Sequence, residues 1–184
     1  AGLNDSESKS MFHRAITLAN EARDVVWNDP ARRQNRIRPL VAVSIGSYGA
    51  FLADGSEYRG AYDTSQRALS DFHLERFRTL LAFEAEFDLF AVETIPSFKE
   101  AQVVAELLQE LESKPAWVSF SCRDAEHISD GTRISECIAM LNSSDLIFAV
   151  GINCTAPRHV LSLVERAVAS TDKTIVVYPN SGEG

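Results

Sequence analysis

No apolar run in these 184 residues approaches the roughly 20 needed to cross a bilayer, and the opening AGLNDSESKS is too polar for the core of a signal peptide. A membrane partner is therefore not expected. Basic charge is scarce: 18 Lys and Arg against 26 Asp and Glu leave a net charge of -8, which repels a phosphate backbone and argues against nucleic acid. Cysteine is scarce as well. Cys122, Cys137 and Cys154 are odd in number and widely spaced, unlike a secreted disulfide framework, and a reducing cytoplasm is the expected compartment. There is no GxGxxG for a dinucleotide and no GK[ST] for a nucleoside triphosphate.

What is there is enough for one domain with a substantial core, since 45% of the residues are hydrophobic. Leu40 to Ile45, Leu89 to Glu93, Ala116 to Cys122, Ile147 to Cys154 and Thr174 to Tyr178 are short apolar runs rich in Val, Ile and Phe. They read as strands of a parallel sheet. Helical spacing fills the intervals: Leu69, Phe72, Phe77, Leu80 and Leu81; Ala101, Val104, Leu107, Leu108 and Leu111; Ile134, Cys137, Ile138 and Leu141; Val160, Leu161, Val164 and Val168. The leading segment with Met11, Ala15, Leu18, Ala19 and Ala22 reads as a helix too. Ser97 with Glu100 three residues later has the form of a capping box.

This alternation demands parallel strands joined by crossover helices. Five strands do not close a barrel, and a (β/α)8 barrel needs about 250 residues. Either the sheet is small and open, or roughly three strands of a barrel lie outside the chain.

In both architectures the chemistry gathers where strands end. After the first strand come Gly46-Ser47-Tyr48-Gly49 and a polar loop, Ala53 to Gly60, whose plain reading is a turn and a lid-like surface segment. Glu93 closes the second strand, either to hold an ammonium or act as a base, or simply as a surface acid near a helix start. The third strand leads into Arg123 to Thr132, where His127 sits among acids; a substrate-contacting loop is a simpler account than a metal ligand. Asn153 and Cys154 end the fourth strand, and an isolated cysteine is more often a small buried hydrophobe than a ligand. Asn180 and Ser181 follow the fifth. None of the four lysines, Lys9, Lys99, Lys114 and Lys173, stands at a strand end, which leaves no Schiff-base nucleophile among them.

Taken in order, GSYGAFLADGSEYRGAY, ETIPSFKEA, SFSCRDAEHISDGT, AVGINCTAP and VVYPNSGE resemble the homocysteine S-methyltransferase family over residues 1–184. The likeness is to the branch that uses S-methylmethionine or S-adenosylmethionine as donor. It implies a single (β/α)8 TIM-barrel domain, incomplete here, with the first strands and the last strand outside the chain. It implies one zinc ion held by three cysteine thiolates. Cys154, in its GxNC setting, matches the first; the other two, an adjacent pair in the family, are expected beyond Gly184. By the same resemblance Glu93 binds the amino group of L-homocysteine, Asn153 shapes the site beside the metal ligand, and Asn180 and Ser181 line its mouth. Cys122 has no counterpart among those ligands and is left to packing.

The reaction so implied moves a methyl group from a sulfonium to sulfur, giving methionine. A free thiol, with pKa near 8.5, is mostly protonated at neutral pH, and zinc would deprotonate and fix it. The alternative expectation is a catalytically silent domain that binds an amino acid without turnover.

Overall fold

The computed structural model describes residues 3–112 and 114–181. The chain enters as a long helix, α1 (Asp5–Trp27), whose start is fixed by Asn4: its side chain accepts from the Glu7 N–H, and the Glu7 carboxylate accepts from the Asn4 N–H. A short helix, α2 (Pro30–Arg33), precedes the first strand, β1 (Ala42–Gly46). Then follow α3 (Tyr48–Leu52), a 3-10 turn at Ser56–Tyr58, α4 (Gln66–Leu81) and a second 3-10 turn at Glu84–Glu86. The remainder alternates regularly: β2 (Leu89–Ile95), α5 (Phe98–Leu111), β3 (Ala116–Phe120), α6 (Ile134–Leu141), β4 (Ile147–Asn153), α7 (Pro157–Val168) and β5 (Thr174–Tyr178).

The five strands lie in sequential order, every neighbouring pair parallel. A doubly wound sheet reverses its order at a switch point; this one does not. Successive helices α4, α5, α6 and α7 touch one another, so they cover one face of the sheet. Against them pack Ile45, Phe90, Val92, Val118, Phe120, Val150 and Ile152, all essentially buried. Among the described residues the opposite face has no helix over it. It is the face that bears polar side chains.

Two helices form where the sequence places them, but with contacts that their patterns do not announce. The apolar stripe of α1 points outward, with Met11 62% and Leu18 47% exposed and Ala15, Ala19 and Ala22 exposed too. The packed face is Ile16 with polar neighbours. His13 stacks on Phe83 at 4.5 Å, and Asn20 donates to the Glu86 carbonyl at 2.7 Å. α1 meets both α4 and the polar turn at Glu84–Glu86, and its hydrogen bond and ring contact to the segment around that turn help select its inner face.

The second case is Ser97 and Glu100. Ser97 is the N-cap of α5, but its side chain caps nothing; Asp130 Oδ2 accepts from the Phe98 N–H at 2.7 Å instead. Glu100 is wholly buried. Its carboxylate accepts from the Tyr48 N–H at 2.5 Å and from Tyr62 Oη, and lies 2.7 Å from His73 Nε2. The pair therefore marks where the helix starts, while the glutamate ties α3, α4 and α5 together. Among the described residues no helix is long and apolar enough to cross a membrane.

Candidate functional site

The uncovered sheet face collects polar side chains from all five strands. The register pairs Gly46 with Glu93, Trp117 with Ala149, Ser119 with Gly151 and Asn153 with Tyr178, so these positions share one face. Gly151 lets β5 approach closely: a Cβ there would lie 1.8 Å from the Val176 carbonyl oxygen.

Strand β2 departs from simple alternation. Val92 pairs with Val118 and Ile95 with Phe120, so Glu93 and Thr94 together oppose Ser119 alone. This is a bulge, and it turns two consecutive side chains toward the same face. Its cost is visible at Thr94, a β-branched residue held at φ +59°.

The bulge brings Thr94 to Asn153 and Cys154. The Thr94 N–H donates to Asn153 Oδ1 at 2.9 Å, and Asn153 Nδ2 donates back to Thr94 Oγ1 at 2.7 Å. Both partners then address sulfur: Asn153 Nδ2 lies 3.3 Å and Thr94 Oγ1 3.5 Å from Cys154 Sγ. Cys154, half-buried just past the end of β4, has φ +47°. Its thiol is thus aimed by two donors and a constrained backbone.

Glu93 lies on the same face. Its Oε1 accepts from Ser44 Oγ at 2.5 Å and its Oε2 from Tyr178 Oη at 2.8 Å. Tyr178 Oη in turn accepts from Trp117 Nε1 at 3.0 Å and lies 2.8 Å from Ser119 Oγ, which donates to Asn153 Oδ1 at 2.9 Å. Burial, and then the Glu93 carboxylate, push the Tyr178 phenol up to about 12. Glu93, Asn153 and Cys154 are therefore joined through Tyr178, Ser119 and Thr94.

Asn180 is tied to this end through its N–H, 3.1 Å from the Thr155 carbonyl; Ser181 follows it, and both are exposed. The polar loop after α3 also reaches the site. Tyr58 has its phenol raised by burial and then by Cys154, and the Glu57 carbonyl accepts from Ser121 Oγ at 2.7 Å.

The other thiols are packing groups. Burial pushes the Cys122 thiol up to about 12 and raises that of Cys137 further. His127 is turned to Asp124, its Nδ1 3.0 Å from Oδ1, within a loop whose Glu126 and His127 N–H groups donate to the same oxygen. That is a structural turn.

Sequence reasoning missed Ser44, Thr94, Trp117, Ser119 and Tyr178. The signal available for Tyr178 was its spacing, two residues before Asn180. Nothing announced the bulge.

Among the described residues no three His, Cys, Asp or Glu side chains gather as a metal cage. The stretch offers a metal one thiolate, Cys154. Two donors fix the direction of its sulfur, an orientation that a metal ligand needs.

A family model described as homocysteine S-methyltransferase matches residues 1–184. Homocysteine S-methyltransferase YbgG of Bacillus subtilis is 46% identical over 182 residues, which cover 99% of this chain and 57% of the relative. Selenocysteine Se-methyltransferase of Brassica oleracea var. italica is 44% identical over 190 residues, covering 99% and 54%. The crystal structure of the homocysteine methyltransferase MmuM from Escherichia coli, in its metallated form, matches with a TM-score of 0.89 at 41% identity, over 98% of this chain and 61% of that one. The chain spans little more than half the length of the relatives it matches.

Proposed function

The chain belongs to the homocysteine S-methyltransferase family, and on that premise we propose that the protein containing it transfers a methyl group from S-methylmethionine or S-adenosylmethionine to the thiolate of L-homocysteine, giving methionine. The observation that supports this most is the thiol of Cys154, aimed by Thr94 and Asn153 on the same sheet face as the Glu93 carboxylate. Cys154 is one zinc ligand, and two further cysteines come from the part of the longer protein beyond Gly184. Zinc held there would lower the pKa of the homocysteine thiol so that it is deprotonated at neutral pH.

The remaining work belongs to side chains of this chain. Glu93 binds the substrate ammonium, which fixes the amino-acid end while the sulfur is presented to the donor. Asn153 holds the turn that carries Cys154, and Asn180 and Ser181 line the mouth beside it. The sequential parallel order and the uncovered polar face support a (β/α)8 barrel that closes in the longer protein, with this face as its interior. A cytoplasmic setting accords with three free thiols.

The test is methionine formation from homocysteine and S-methylmethionine by the full-length protein, with and without a zinc chelator. Chelator-sensitive turnover is expected, and Cys154→Ser should abolish both turnover and zinc retention while the protein still folds. Replacing the donor by S-adenosylmethionine separates the two sulfoniums. Absence of turnover with either donor would leave a domain that binds an amino acid without acting on it.

A further inference from the structure

The hydroxyl of Tyr178 is held in a way that packing alone does not require. A phenol oxygen has one proton and two lone pairs. Trp117 Nε1 can only donate and takes one lone pair at 3.0 Å, while an ionised Glu93 can only accept and takes the proton at 2.8 Å. The remaining lone pair faces Ser119 Oγ at 2.8 Å, so Ser119 is the donor in that contact, its single proton shared between Tyr178 Oη and Asn153 Oδ1 at 2.9 Å. Every direction around the Tyr178 oxygen is then assigned, and its proton is committed to Glu93 Oε2. The other carboxylate oxygen, Oε1, is held by Ser44 Oγ at 2.5 Å. Glu93 is gripped from β1 on one side and β5 on the other.

We propose that Tyr178 is a positioning residue that fixes the Glu93 carboxylate, through one charge-assisted hydrogen bond oriented by Trp117 and Ser119, in the rotamer that receives the ammonium of the amino-acid substrate. This rests on the reading of Glu93 as the ammonium site. A carboxylate free to swing between β1 and β5 would have to lose that freedom on each binding event. Tethering both oxygens in advance leaves unfilled acceptor positions on each for the ammonium. The group acts on the amine end of the substrate and leaves the sulfur end to Cys154.

The experiment uses the full-length, zinc-loaded protein with two thiol substrates: L-homocysteine, and 4-mercaptobutyrate, which has the same thiol and carboxylate but no amino group. Tyr178→Phe keeps the ring and its edge-on contact with Trp117, centroids 6.5 Å apart, and removes only the hydroxyl. KM for homocysteine should rise roughly tenfold, as for loss of one hydrogen bond to a charged group, with kcat changing far less and zinc content unaltered. KM for 4-mercaptobutyrate should not move. Trp117→Phe should shift homocysteine KM in the same direction by less, which keeps the test alive should Tyr178→Phe fold poorly.

The double variant separates two kinds of failure. If Tyr178 acts through Glu93, then Tyr178→Phe adds nothing in a Glu93→Gln background. A Glu93→Gln protein whose homocysteine KM is unchanged would refute the ammonium site itself. A normal Glu93→Gln penalty beside a silent Tyr178→Phe, or an equal rise in KM for both thiols, would overturn the role of Tyr178 alone.

Discussion

Thr94 shows how much chemistry can rest on a residue that no motif singles out. Its hydroxyl accepts from Asn153 Nδ2 and donates toward Cys154 Sγ, and its backbone sits at φ +59° to do so. A positive φ at a β-branched residue persists only when the surroundings over-determine it, and here the Asn153 amide clamps both the N–H and the hydroxyl. Thr94→Val keeps the shape and the backbone bond but deletes one of the two donors on sulfur. In the full-length protein it should weaken zinc retention by about 10- to 100-fold, read as faster transfer of zinc to a chromophoric chelator, whereas Thr94→Ser should stay near the parent. Equal retention in the valine variant would mean that Asn153 alone directs the thiol. Glu93, Asn153 and Cys154 could be singled out as candidates because each lies near the C-terminal end of a recognisable apolar run. Thr94 was not, because ordinary alternation would send it to the helix face, and only the pairing of β2 with β3 reveals the bulge.

At the level of elements, the strands were largely readable and the helix surfaces less so. The five apolar runs became β1 to β5 with ends within two residues of expectation, because parallel strands write themselves as short runs rich in Val, Ile and Phe. The capping signature at Ser97 found the start of α5 yet misassigned Glu100, since a glutamate three residues into a helix looks the same in sequence whether it turns back to the N-cap or inward. What decides is the partner set, and those partners lie 27 to 52 residues away, at His73, Tyr62 and Tyr48. Glu100→Leu would leave His73 buried with both ring nitrogens unpaired, its Nδ1 already lacking a partner, and would strand the Tyr48 N–H. Breaking such a pair costs about 3–5 kcal/mol, so the denaturation midpoint should fall steeply. Glu100→Gln, which keeps an acceptor oxygen and can offer its NH2 to Tyr62, should lose much less; similar losses in both would point to the charge rather than the hydrogen bonds. The stripe of α1 faces outward for a related reason: its inner face answers to α4 and to the turn at Glu84–Glu86 rather than to its own periodicity.

For the molecule as a whole, the sheet and its helices make opposite demands on solvent. Parallel sheets are ordinarily covered on both faces, while this one is covered on one, and among the described residues β1 and β5 each pair on a single side. Phe148 is 43%, Leu161 72% and Val168 59% exposed, adding apolar surface to two open edges that offer unpaired backbone groups to any other strand. Opposing this is the net charge of -8, which keeps like molecules apart at low ionic strength. The balance should therefore depend on salt. Residues 1–184 prepared alone should sediment as species larger than 20.3 kDa, and association should grow as salt rises, because a shorter screening length removes repulsion while the edges stay adhesive. The full-length protein, if its remaining strands pair with β1 and β5 and close the sheet, should show no such dependence. A monodisperse 184-residue monomer that melts cooperatively at both low and high salt would mean that the two edges are already satisfied, and would count against a barrel completed from elsewhere in the longer protein.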